Sequence, residues 1–158
     1  MGVALISDNS SFVVSGIEIK NRSWSNTTGL IQGVTTITSS NEAQKDFNGF
    51  QNTQSIAEYT HASAAYECTV TQFKNGQMGY LASVGEWMEI INNLDEINRC
   101  MSLIDGLDID EGATSYWTST QYNYEKAWLV TYNGNEFYPN DERKGVSFYA
   151  IRVISQLI

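Results

Sequence analysis

Between Tyr116 and Tyr149 the chain crowds ten aromatic residues among Asn, Ser, Thr and a few charges. Tyr and Trp offer broad contact area while freezing few rotatable bonds, and Asn and Ser add adaptable hydrogen bonding. This is the composition of a recognition surface. Trp117, Trp128 and Phe148 are expected in the core. The run Tyr122, Asn123, Tyr124 carries too many polar atoms to bury without partners and is expected outside. Tyr122, Tyr124 and Tyr138 are candidate aromatic anchors, with Asn123, Glu125, Lys126, Asp141, Arg143 and Lys144 supplying polar specificity around them. Tyr132, Asn135, Asn140 and Tyr149 complete the candidate ligand-binding set.

Groups that could catalyse are few. His61 is the single histidine; it falls inside a helical stretch with no nucleophile at a known spacing, so a structural or solvated role is expected. Cys68 and Cys100 are too few for a disulfide framework and sit among apolar neighbours, where a free thiol behaves as a small hydrophobe. Glu86 belongs to a helix cap, which leaves a paired-carboxylate hydrolase without its second member. The acidic group Asp105, Asp108, Asp110 and Glu111 lacks the alternating ligand pattern of a calcium loop and reads as a solvated segment after a helix. No glycine loop suited to cradling phosphate is present. The reading is a non-enzymatic protein with no cofactor and no metal.

Several elements must position the aromatic segment. Ser83-Val84-Gly85-Glu86 is a capping box, and Trp87, Ile90, Ile91, Leu94, Ile97, Met101 and Ile104 follow at helical spacing, so one helix from Ser83 to about Ile104 is expected, ended by Asp105-Gly106. Trp87 should face the sheet. A second helix is expected from Asn52, as cap, to about Cys68, with Ile56, Tyr59, Ala64 and Tyr66 inward. Lys74-Asn75-Gly76-Gln77 reads as a tight turn. Strands are expected from Phe12 to Ile19, Lys126 to Tyr132, Asn135 to Tyr138 after a turn at Asn133-Gly134, and Val146 to Ile154. The Thr- and Ser-rich stretch from Trp24 to Lys45 reads as a surface loop or irregular edge.

A chain of 158 residues with no internal repeat or linker fits one domain, 1–158. Nine basic residues against eighteen acidic ones, a net charge of −9, argue against nucleic acid and against anionic membranes. No apolar run approaches the ~20 residues needed to span a bilayer, so membrane insertion is not expected. The start Met1-Gly2-Val3-Ala4 has no basic segment ahead of a signal-like core. A surface location is therefore expected through an assembled particle or a longer exported chain.

The order of motifs carries a family resemblance. Gly2-Val3-Ala4-Leu5 with Phe12-Val13-Val14, Asp46-Phe47-Asn48-Gly49 with Asn52-Thr53, Asn75 to Leu81 leading to Gly85-Glu86-Trp87, Tyr116-Trp117-Thr118-Ser119-Thr120 with Ala127-Trp128, and the closing Ile151-Arg152-Val153-Ile154 together cover nearly the whole chain. This pattern resembles the C-type-lectin-fold variable proteins targeted by diversity-generating retroelements, in their Bacteroides and phage versions. It is more distantly similar to phage tropism determinants and to the formylglycine-generating enzymes. The resemblance implies an α+β fold: two helices on a small, mostly antiparallel sheet, paired terminal strands, and an irregular ligand face over about 116–152, remote from the chain ends.

The resemblance also invites a calcium-dependent sugar site at Tyr138-Pro139-Asn140-Asp141. Calcium takes about six to eight oxygens, several from carboxylates. The residue before Pro139 is Tyr, and no Trp-Asn-Asp triplet follows, so an ordinary turn set by Pro139 is expected instead. The oxidases of this fold use a cysteine pair late in the chain, and no cysteine follows Cys100. The implied function is binding: a domain on a phage virion surface, as receptor-binding tip, head fibre or capsid decoration, recognising a host cell-surface protein or glycan. The alternatives are an architectural virion protein that docks another virion protein, and a bacterial surface adhesin. A homotrimer would suit a fibre tip, although no heptad segment argues for one.

Overall fold

The computed structural model describes residues 1–109 and 113–157. The chain opens with β1 (Gly2–Ile6) and β2 (Ser11–Arg22), passes through α1 (Ser40–Ala43), α2 (Gly49–Tyr59), α3 (Ala64–Thr69) and β3 (Gly79–Leu81), and continues into α4 (Val84–Asn92) and α5 (Leu94–Leu103). It closes with β4 (Ser115–Gln121), β5 (Lys126–Tyr132), β6 (Phe137–Arg143) and β7 (Tyr149–Gln156). The architecture is α+β. Its seven-stranded sheet runs β1-β2-β7-β4-β5-β6, with β3 paired to β7. The one parallel pairing among the described strands is β4 with β7; the other pairings are antiparallel.

The expected terminal pairing is present, with Phe12 opposite Gln156 and Ile19 opposite Ile151. The last strand begins at Tyr149 rather than Val146, whose side chain is exposed. Alternation along the central strands feeds two cores. Tyr116, Val130, Ala150 and Ile154 point into one cluster with Trp87, Ile90, Ile97 and Met101 of α4 and α5. Trp117, Leu129, Ile151 and Val153 point into the other with Ile56, Ala64, Ala65 and Cys68 of α2 and α3. The central strands are therefore covered on both sides, which is why β7 reads as an almost unbroken apolar run.

Both expected helices are divided. The first starts at Gly49 rather than Asn52, ends at Tyr59 where Thr60 turns extended, and restarts behind Ser63, whose hydroxyl accepts from the Tyr66 amide. Ile56 and Ala64 are buried as expected; Tyr59 is exposed and Tyr66 half-buried, because the break between α2 and α3 turns both rings off the core. Asn52 lies inside α2, and its amide and carbonyl reach sideways to Asp46 and Thr35 instead of capping. The capping box is formed by Ser83 and Glu86. Its helix stops at Asn92, and α5 begins after Asn93. The apolar stripe runs on across this joint. At the far end Asp105 adopts φ +53, and the Gly106 amide donates 2.9 Å back to the Met101 carbonyl, closing a Schellman turn. Gly106 suits a close approach, since a Cβ there would stand 3.2 Å from the Gly16 Cα and push the two segments apart by a few tenths of an ångström.

The segment from Trp24 to Lys45 is irregular apart from α1 and lies mostly at the surface, as expected, yet it also contributes to the core. It buries Trp24, Ile31 and Val34 in the second core. The indole N–H groups of Trp24, Trp87, Trp117 and Trp128 donate to the carbonyls of Thr118, Trp117, Arg22 and Ile37, so each large ring is buried without stranding its donor. Cys68 and Cys100 are free thiols, the first buried and the second half-buried. Burial pushes the Cys68 thiol well above its ordinary value. Asp110 and Glu111 of the acidic group lie outside the described residues.

Candidate recognition surface

The hairpin of β5 and β6 forms the edge of the sheet opposite β1. Its register places Lys126 opposite Arg143, Trp128 opposite Asp141 and Thr131 opposite Tyr138. Pro139 sits inside β6, not in a turn. On an edge strand its missing amide costs no ladder bond. Tyr138 and Asn140 therefore alternate with Asp141 across the sheet, so these residues do not converge on one cation as a calcium loop would need. Among the described residues, no group of three or more His, Cys, Asp or Glu gathers as metal ligands do.

The β4–β5 turn builds a compact corner. Trp128 is its floor, and Tyr122 packs edge-on against it with ring centroids 5.1 Å apart. The Asn123 carboxamide accepts the amides of Glu125 and Lys126, both at 2.9 Å, and the amides of Tyr122 and Asn123 donate to the Lys126 carbonyl. These bonds fix the turn without help from solvent. The Lys126 ammonium then lies 2.6 Å from Asp141 and 5.8 Å from the centre of the Tyr122 ring. Tyr124 stands 55% exposed, its hydroxyl donating to Glu125, which holds the phenol above its ordinary pKa. Arg143 is exposed beside Lys126 across the strand pair. The Asp141 carboxylate likewise holds the Lys126 ammonium above its usual value.

The structure thus unites Tyr122, Asn123, Tyr124, Glu125, Lys126, Asp141 and Arg143, and separates the remaining candidates. Tyr138 is partly exposed on the opposite face of β6, five residues from Arg143, a distance of roughly 17 Å along an extended strand. Tyr132 and Asn135 line a different feature, a cleft of about 460 Å³ between the β5–β6 turn and the α4–α5 joint, with Ile91, Leu94, Glu136 and Phe137. Tyr149 is half-buried, edge-on to Trp117 and hydrogen-bonded to Glu142, and burial raises its pKa first, with Glu142 adding to it.

Lys144 is a correction. Its side chain is fully buried, with its ammonium donating to the Gly29 carbonyl and the Gln121 side chain and lying 4.8 Å from the Trp24 ring. It anchors the irregular segment and does not face a ligand. Burial brings its pKa down to about 8. Phe148, expected in the core, is 60% exposed because it precedes β7 and escapes the sheet's alternation. The cleft at the α4–α5 joint had one available signal, the Asn92-Asn93 pair, which the unbroken apolar stripe outweighs.

No protein-family model and no curated protein matches this chain. Among solved structures it is similar in fold to a fimbrial protein from Bacteroides ovatus ATCC 8483, with a TM-score of 0.64 at 19% sequence identity. That similarity covers 93% of this chain and 36% of the fimbrial protein's chain. This chain spans about a third of that structure. Among the described residues no helix is long and apolar enough to cross a membrane.

Proposed function

We propose that this protein is a non-enzymatic binding domain of C-type-lectin fold, displayed on a surface assembly and meeting its partner through the corner of Tyr122, Tyr124, Lys126, Asp141 and Arg143. One observation carries this reading. The corner presents an exposed Tyr and Arg beside a turn already braced within the protein, by the Tyr122–Trp128 ring contact and by the Asn123 carboxamide. Preorganised anchors of these residue types lose little entropy on binding and supply most of an interface's energy. Catalysis finds less support: His61 is stacked on Tyr66 at the surface, and the buried carboxylates Glu86 and Asp46 are spent on the helix cap and on Asn52, Thr35 and Thr120.

Two settings are open to such a domain. Virion display, as a tip, head fibre or decoration binding a host surface protein or glycan, rests on the sequence resemblance. Display on a bacterial surface appendage is supported in addition by the fimbrial neighbour, and we favour it. The test is adsorption of fluorescently labelled protein to intact Bacteroides ovatus cells, read by flow cytometry, with the Tyr124→Ala/Arg143→Ala double variant alongside. Adsorption that the folded double variant loses supports the corner. Equal adsorption by both proteins would move the recognition face elsewhere.

A further inference from the structure

Away from that corner, Phe148 projects from the β6–β7 connection between two hollows. One, of about 180 Å³, is bordered by Asn21, Thr114 and Tyr149; the other, of about 200 Å³, by Asn21, Arg22, His61 and Glu67. Asn21 and Phe148 belong to both. The pairing of β2 with β7 shifts register between Ile19 and Arg22, and within that shift Asn21 takes φ +56. Asn tolerates the left-handed region better than other non-glycine residues, and bulges are over-represented beside functional sites. Asn21 is exposed and stands at the rim the hollows share.

The groups around the ring are chemically mixed. Arg22 and Glu67 form a loose pair at 3.5 Å, with side chains 42% and 40% exposed, so a donor and an acceptor stay within reach of solvent. His61, stacked on Tyr66 with centroids 4.3 Å apart, stands as a fixed wall of the second hollow. An exposed aromatic ring carries a negative face that attracts polarised C–H groups. A pyranose offers such C–H groups on its flat face and hydroxyls that both donate and accept around its rim. Asn21 can do both, Arg22 donates and Glu67 accepts. The hollows fall short of the ~300 Å³ at which drug-sized pockets begin, and neither offers the buried socket that a protein anchor fills.

We propose that Phe148 is the stacking platform of a saccharide site, with a disaccharide lying across its ring so that each hollow takes one pyranose and Asn21 bonds to both. The site shares no residue with the Tyr124 corner, so the two assignments stand or fall separately. Saturation-transfer NMR with cellobiose, maltose, lactose and N,N′-diacetylchitobiose tests it. At least one of the four should receive saturation at its ring C–H protons, with a dissociation constant on the order of millimolar. Phe148→Ala should weaken that binding about tenfold and Phe148→Trp should preserve it. Asn21→Gly, which suits the left-handed backbone and keeps the fold, should weaken it about fivefold through loss of the carboxamide. Tyr124→Ala should leave it unchanged. No transfer from any of the four sugars, or transfer that survives Phe148→Ala, overturns the proposal.

Discussion

Strands β7 and β6 belong to one sheet and have opposite fates. In β7 the residues from Ala150 to Ser155 are all buried. Even Arg152 is committed: its guanidinium donates to the carbonyls of Ser15, Leu107 and Asp108 and meets Glu18 at 2.5 Å, both side chains being shielded from solvent. The Glu18 carboxylate also accepts from Tyr116. In β6 only Phe137 is buried, and the charges of Asp141 and Arg143 remain at the surface. Helices cover the sheet where β7 lies and leave the β6 edge open. Stability is concentrated in the first region and available chemistry in the second, so substitutions in the two should have separable effects.

The largest effects belong to the covered half. Arg152→Ala strips the buried Glu18 of its counter-ion, with the Tyr116 hydroxyl still bonded to it, and should cost about 3–5 kcal/mol in chemical denaturation. Trp87→Ala should cost a similar 3–5 kcal/mol, because its ring is fully buried and lies 4.9 Å from Tyr116. A melting curve equal to the parent's for either variant would break the contrast at its strong end.

A pH effect comes next. Burial pushes the Glu86 carboxyl up to about 7, against the lowering influence of its bonds to Ser83 and Tyr80. The folded state then holds this proton at pH values where the unfolded chain has released it. The resulting stability is complete below about pH 4.5 and is lost as pH rises through 7, a swing of about 3 kcal/mol. Denaturation midpoints of the parent minus those of Glu86→Gln, taken from pH 4 to 8, should fall with rising pH. A flat difference would show that the cap carboxylate is comfortable when ionised.

The open half should respond weakly. Lys126→Ala removes a pair with Asp141 whose side chains are 37% and 25% exposed, and should cost about 0.2–1 kcal/mol, less in high salt. Tyr124→Ala should change stability by no more than about 0.5 kcal/mol. A loss of 3 kcal/mol or more from Tyr124→Ala, on the order of a core deletion, would mean that the corner is part of the core.

The same contrast explains what was legible in the sequence. The capping box and the buried Trp117 and Trp128 follow from local pattern and period, the pairing of the two terminal strands follows from the family resemblance, and each is present. The breaks at Thr60 to Ser63 and at Asn93 were hidden because apolar spacing continues across them, while the chain's direction changes for tertiary reasons. Asn52 looks like a cap; its actual partners, Thr35 and Asp46, are set by folding. Lys144 looks like surface charge and is buried by the segment after Trp24, whose composition conceals its role. The aromatic and polar residues of the candidate site were visible as a group. Their division between the corner, the opposite face of β6 and the α4–α5 cleft depends on β-sheet alternation, which composition does not carry.

Hydroxyl-radical footprinting of the protein while bound to cells tests the central claim most directly, because it reads the two edges of the sheet together. The account predicts protection at Tyr122 and Tyr124, with Met1, Ile6 and Ile17 at the β1–β2 edge, exposed in the free protein, labelled as in solution. Protection of Met1, Ile6 and Ile17 with Tyr124 still labelled would contradict it.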